Sequence, residues 1–221
     1  MKLLYLDTET TGLDPVKNGI HQISGIIEID GKVVEEFDIK FRPIEKRELV
    51  SPEALKVSGL SVEDLRARTV SSFEAYGQLV KIFDKYIDRY KKTDKFNMVG
   101  QNTKFDYDFL AEWFRKHGNQ YLYAYIFYHL IDIISTTAVF KLAGKMDVSD
   151  MKLATVAKFF GIELKAHDAQ NDIRATREIF KRYLKLISQI PSIAQLTDEQ
   201  PSSAQPSPEI QEAARAAGLI K

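Results

Sequence analysis

The order of hydrophobic periods along this chain predicts an α/β domain in which helices cover a central mixed sheet. Three observations carry that prediction. The apolar run Lys2 to Asp7 reads as a buried strand, and Gln22 to Asp30 with Lys32 to Phe41 reads as a hairpin turning at Asp30-Gly31. From Ser51 onward the period lengthens to that of a helix.

The elements follow in chain order. Ser51-Pro52 and Ser61 are N-cap signals, and Val70 to Tyr90 places Phe73, Tyr76, Val80, Phe83 and Ile87 at helical spacing. Asn97 to Gly100 reads as one more short strand. Helical segments are expected at Asp106 to His117, Ile131 to Leu142, Met151 to Phe160 (stopped by Gly161) and Ala169 to Ile187. After Ile190 the composition shifts to Pro, Ser, Gln and Asp, which marks a flexible linker. The expected organisation is one α/β domain over residues 1–190 and a tail over 191–221. Within the tail, Ser207-Pro208-Glu209 starts a short helix and Gly218 stops it.

Composition excludes several classes of function. The chain has 221 residues, 44% of them hydrophobic and 28% charged, enough for one globular domain with a substantial core. It has no cysteine, so disulfides, thiolate catalysis and cysteine-ligated zinc are out, and any metal must take oxygen or imidazole ligands. Lysine plus arginine balances aspartate plus glutamate at 31 each, so no global field draws in a polyanion. An enzyme that grips a chain end through metal ions needs no such field. Neither the opening apolar run nor the aromatic run Tyr121 to Tyr128 is long enough for a signal peptide or a membrane span. The expected protein is soluble and cytoplasmic, with no membrane partner.

Acidic residues supply the candidate chemistry. Asp7 and Glu9 lie two apart at the end of an apolar strand, so both leave one face of the sheet and can share a cation. On its own such a pair reads as readily as a solvated strand edge. Thr8, Thr10, Thr11 and Gly12 add hydroxyls and a compact backbone, as a site admitting a sugar-phosphate requires. Asp106 opens an apolar-periodic helix after Gly100-Gln101-Asn102, and Asp172 lies inside the last core helix, five residues beyond His167. Spacing alone leaves Asp106 open to a helix-dipole role and Asp172 to an exposed helix face. Asp168 reads as the N-cap of that helix.

Taken together, Leu6-Asp7-Thr8-Glu9-Thr10-Thr11-Gly12-Leu13, then Gly100-Gln101-Asn102 with Phe105-Asp106, then His167-Asp168-Ala169 with Asn171-Asp172 and Ala175, resemble the DEDDh branch of the DnaQ-like exonucleases. The resemblance spans residues 3 to about 187 and implies a ribonuclease H-like fold. It also implies that Asp7, Glu9, Asp106 and Asp172 bind two divalent cations, Mg²⁺ or Mn²⁺, with His167 as general base. Gln101 departs from the histidine many relatives carry there, and Ser58-Gly59-Leu60 replaces a His-Gly-Ile.

The chemistry needs these groups. One pair of carboxylates 4 Å apart repels by about 4 kcal/mol at an effective dielectric of 20, so four together call for cations. Two such ions clamp the attacking and leaving oxygens of a displacement on phosphorus, while a histidine near neutrality takes the proton from water. The implied function is 3′-to-5′ hydrolysis of single-stranded DNA ends to 5′-mononucleotides, in proofreading or repair. An exoribonuclease and a non-catalytic nucleic-acid binding module are the alternatives. Asn102 and Thr8 to Leu13 are the expected substrate contacts, Leu13 being open to two readings, a terminal-base contact or ordinary packing. The remaining histidines, His21, His117 and His129, are expected to be structural, and Lys165, Arg174, Arg177 and Lys181 to form a solvated face, the alternative being that they steer phosphates. The tail stripe Ile210, Ala213, Ala214 and Ala217 has three readings: a docking helix for a polymerase partner, a disordered end, or a helix folded back on the core.

Overall fold

A computed structural model describes residues 1–44, 47–164 and 169–189 of the chain. Its five-stranded sheet has the order β3-β2-β1-β4-β5. The first three strands, β1 (Lys2–Thr10), β2 (Ile20–Ile29) and β3 (Lys32–Lys40), pair antiparallel. The others, β4 (Asn97–Gly100) and β5 (Ile131–Asp132), continue the sheet in parallel from β1. The expected mixed sheet is therefore present.

Local chemistry accounts for the elements. Asp30 and Gly31 both have positive φ, 50° and 82°, as the tight β2–β3 hairpin turn demands. Helix α1 (Pro52–Ser58) is capped by Ser51 and closed by Gly59 in the left-handed conformation. Capping boxes start α2 (Val62–Ala67) at Ser61 with Asp64 and α3 (Ser72–Tyr86) at Ser71 with Glu74. The remaining helices are α4 (Thr103–Lys116), α5 (Ile133–Leu142), α6 (Leu153–Phe159) and α7 (Ala169–Ile187).

Two differences from the sequence reading have clear causes. Strand β1 runs three residues past Asp7, because Thr8, Glu9 and Thr10 keep their pairing with Ile23, Gln22 and Ile20. Phe73 matches the helical spacing yet is 62% exposed, because α3 turns Ala75, Leu79 and Phe83 inward instead.

A core of Leu4, Leu6, Ile23 and Ile27 from the sheet with Phe83, Phe109, Trp113 and Phe114 from α3 and α4 fills one face. On α7, Phe180 meets Tyr5 edge-on and Arg177 pairs with Glu28 of β2 at 2.6 Å. Residues Met1–Tyr183 form one compact unit; Leu184 begins a second, described only as far as residue 189. The tail over 191–221, with its short C-terminal helix, lies outside the described residues. No described helix is long and apolar enough to cross a membrane.

Candidate active site

Strand alternation sets the site. Asp7 and Glu9 sit two apart in β1, opposite Ser24 and Gln22 of β2. Thr8, between them, turns the other way and is buried. There its backbone N–H and its hydroxyl both donate to Asp106 Oδ1, at 2.9 and 2.7 Å. Asp106 is itself buried, one turn into α4.

That helix starts where it does because β5 clamps it. Asp132 Oδ2 accepts from Thr103 N at 2.8 Å, and Thr103 Oγ1 donates to the Ile131 carbonyl at 2.8 Å. Asn102, left-handed at φ 61°, turns the chain from β4 into α4 and makes no side-chain cap. Its side chain is exposed at the end of β4. Asp172 lies in the first turn of α7. With Glu9 it lines a cleft of about 400 Å³ that also takes in Gln22, Asp38, Ser58 and Arg68.

Electrostatics ties the four acids together. Removal from water, then the charges of Asp106, Glu9 and Asp172, push the Asp7 carboxyl well above the usual range. Burial raises Asp106 to about 7; the Thr8 donors pull the other way, and Glu9 adds to the rise. Oxygen donors with excess negative charge match a hard divalent cation. No group of three or more acid or imidazole side chains closes into an ion cage among the described residues. The fit is thus one of donor type and charge.

The other expected site residues divide by what they touch. Thr10 Oγ1 donates to the Gly12 carbonyl at 2.7 Å. The Thr11 hydroxyl donates to the Leu49 carbonyl and accepts from Gly19 N, so both threonines shape the loop after β1. Gly12 lies against Asn18, whose side chain a Cβ would meet at 2.3 Å. Leu13 is 84% exposed at the tip. His167, Asp168 and Lys165 lie outside the described residues. Of the basic residues expected on a solvated face, Arg174 pairs with Glu36 and Lys181 with Glu178 in the open, whereas Arg177 departs from the expectation, packing against β2 in an ion pair with the buried Glu28.

Two positioning residues, Asp132 and Thr8, had no such role in the sequence reading. Alternation was the available signal for Thr8: a residue between two site acids faces the opposite layer, where α4 packs.

Residues 4–180 match the exonuclease family RNase_T. The chain belongs to this family. Membership places it among the DnaQ-like exonucleases, as the motif resemblance implied, and makes it a nuclease by family.

Two proteins named DNA polymerase III PolC-type resemble this RNase_T chain. The one from Thermotoga petrophila is 28% identical over 189 residues, 85% of this chain and 12% of its own length. The one from Lacticaseibacillus paracasei is 26% identical over 175 residues, 78% of this chain and 10% of its own. The chain thus spans about an eighth or less of these relatives. In structure it resembles E. coli exonuclease I in complex with a dA16 oligonucleotide, with TM-score 0.66 and 20% identity, covering 83% of this chain and 40% of that one. The zinc ion bound form of the E. coli ExoI-ssDNA complex gives TM-score 0.69 at 20% identity, over 85% of this chain and 41% of that one. These likenesses bear on the fold, a mixed sheet flanked by helices of the ribonuclease H-like kind.

Proposed function

We propose that this RNase_T chain hydrolyses single-stranded DNA stepwise from a free 3′ end, releasing 5′-mononucleotides, as a DEDDh exonuclease acting in cytoplasmic proofreading or repair. The observation that carries the reading is the setting of Asp7: burial, and then the charges of Asp106, Glu9 and Asp172, hold its carboxyl well above its usual range. Such an arrangement is unfavourable by itself and becomes favourable when cations are bound.

Asp7, Glu9, Asp106 and Asp172 would hold two divalent cations, Mg²⁺ or Mn²⁺. When bound, these supply Lewis acidity at phosphorus and an acidified water. Thr8 fixes the Asp106 carboxylate through two donors, so that oxygen is oriented before any cation arrives. His167 takes the proton from the attacking water. Thr10 to Gly12 and Asn102 shape the mouth of the site, Thr8 being buried behind it on Asp106, and Leu13 meets the terminal base. DNA is favoured as substrate because the relatives are named DNA polymerases and the similar structure holds a DNA oligonucleotide. The tail over 191–221 would tether the domain to a polymerase partner.

The test is one time course on labelled single-stranded DNA, mismatched duplex DNA and RNA, with Mg²⁺, with Mn²⁺ and with excess chelator. Mononucleotides should appear from the 3′ end of DNA and stop on chelation. Activity that survives chelation, or label lost first from the 5′ end, would contradict the mechanism or the polarity. Faster trimming of RNA would transfer the reading to an exoribonuclease.

A further inference from the structure

At the end of the sheet away from the acids, Arg89, Tyr90, Asn119, Tyr121, Tyr123 and Tyr125 line a cavity of about 310 Å³. Strand β1 runs parallel to β4 with Leu3 beside Asn97, and Asp7 lies four residues further on. At about 3.3 Å per residue the acids are therefore roughly 13 Å or more along the sheet from the start of β4. The cavity is tied to that start. Phe96 N donates to the Tyr125 carbonyl, and Phe127 N donates to the Phe96 carbonyl.

Three of its rings face solvent: Tyr90 is 83% exposed, Tyr121 52% and Tyr123 55%. Cations accompany them. The Arg89 guanidinium lies 5.3 Å from the Tyr90 ring centre, and Lys95 Nζ lies 5.7 Å from that of Tyr123 and 5.8 Å from that of Phe127. Lys91 and Lys92 are exposed beside them. Over residues 84–95 the five cations Lys85, Arg89, Lys91, Lys92 and Lys95 outnumber the three acids Asp84, Asp88 and Asp94, and Asp94 is paired with Lys2. In a chain with no net charge, this is a local positive field around exposed aromatic faces. No aliphatic side chain larger than alanine lines the cavity.

Exposed rings that can stack bases, set among cations that can meet phosphates, are what sequence-tolerant binding of a single strand requires. We propose that this cavity is a second contact for single-stranded nucleic acid, stacking bases on Tyr90, Tyr121 and Tyr123 while Arg89 and Lys95 meet the backbone. A strand with its 3′ end among the acids would reach it two or more nucleotides upstream. The inference goes beyond the nuclease reading and rests on it only in taking a single strand as the ligand.

Fluorescence anisotropy on the full chain in excess chelator, where no hydrolysis occurs, measures this contact directly. The probes are a labelled thymidine strand and an abasic strand of equal length. The wild type should prefer the thymidine strand. The double variant Tyr90→Ala/Tyr123→Ala, both positions exposed, should lose about fivefold or more in affinity for it, together with the preference over the abasic strand. Hydrolysis of a dinucleotide, too short to span the distance, should not change. Unchanged affinity in the double variant would overturn the proposal and leave the cavity to a protein partner. Equal losses on both strands would overturn base stacking, and loss of dinucleotide hydrolysis would overturn the separation from the acids. Strand binding with no hydrolysis in Mg²⁺ would uphold this contact while removing the nuclease reading.

Discussion

Helix α4 has a polar group set into the protein at each end, and the two ends are built on opposite terms. At the C-terminal end, His117 Nδ1 donates to the Trp113 carbonyl at 2.7 Å, and its Nε2 accepts from the Ser72 hydroxyl at 3.2 Å. Ser72 in turn accepts from Trp113 Nε1 at 2.8 Å. The imidazole stacks on Tyr76 with ring centres 4.7 Å apart, and burial lowers its pKa, so it stays neutral. Donors and acceptors there match one another. At the N-terminal end, Asp106 has two donors from Thr8 and faces other carboxylates. A satisfied, uncharged network has no use for a ligand; a crowd of like charges does. The difference separates a polar group kept for stability from one kept for chemistry.

The sharpest way to break the comparison is Asp106→Asn. The amide oxygen can still accept from Thr8, so the fold should survive, while hydrolysis in Mg²⁺ should fall by about a thousandfold or more. Single-turnover rates and metal-free melting curves check both halves, and near-normal turnover would put Asp106 outside the site. Next in size, His167→Ala should slow hydrolysis by at least about a hundredfold where chemistry limits the rate, leaving the Mg²⁺-induced melting shift intact. A lost melting shift would make His167 a ligand instead of a base.

At the other end of α4, Ser72→Ala strands both His117 Nε2 and Trp113 Nε1. Stability to urea should drop by about 1–3 kcal/mol with turnover per folded molecule unchanged. An equal loss of turnover would mean that the two ends are coupled.

The smallest effect is a pH dependence. Asp106 has its folded pKa raised to about 7, so the native state keeps a proton that the unfolded chain gives up near pH 4. Its contribution to stability is therefore lost as pH rises through about 7. Between pH 6.5 and 8 the chelated protein should lose about 1 kcal/mol, Asp106→Asn should lose less because only the buried Asp7 carboxyl is then left raised, and the Mg²⁺-loaded protein should show no such loss. His21, buried and held to about pKa 4, acts in the opposite sense, but below pH 6.5. A flat wild-type profile in that window would show that Asp106 ionises normally.

Much of this was legible beforehand, and what was not has physical reasons. Long elements stand in the sequence best: the strongly periodic α7 to the residue, and the apolar β2, buried on both faces, to within two residues at its start. β5 does not: it has two residues and two register pairs, too few for any period to show, and Ile131-Asp132 merges into the helix that follows. Asp7 and Glu9 are visible because a strand's alternation makes i and i+2 neighbours. Asp106 and Asp172 become visible only through the motif, because sequence spacing says nothing about which helix turns reach a strand end. The holding roles of Thr8 and Asp132 depend on a partner about a hundred or about thirty residues away, and no local pattern encodes those distances.

The loop after β1 is tied down along its length. Thr11 N donates to the Gly19 carbonyl, while Lys116 Nζ reaches the carbonyls of Pro15 and Asn18 and pairs with the buried Glu48. Leu13 is thus an exposed apolar side chain on a stiff stalk. When something covers it, almost no backbone freedom remains to be lost, since that entropy was surrendered when the domain folded. Contact at this tip therefore adds nearly its full hydrophobic gain to binding, and lengthening the loop by a few glycines would turn part of that gain back into disorder.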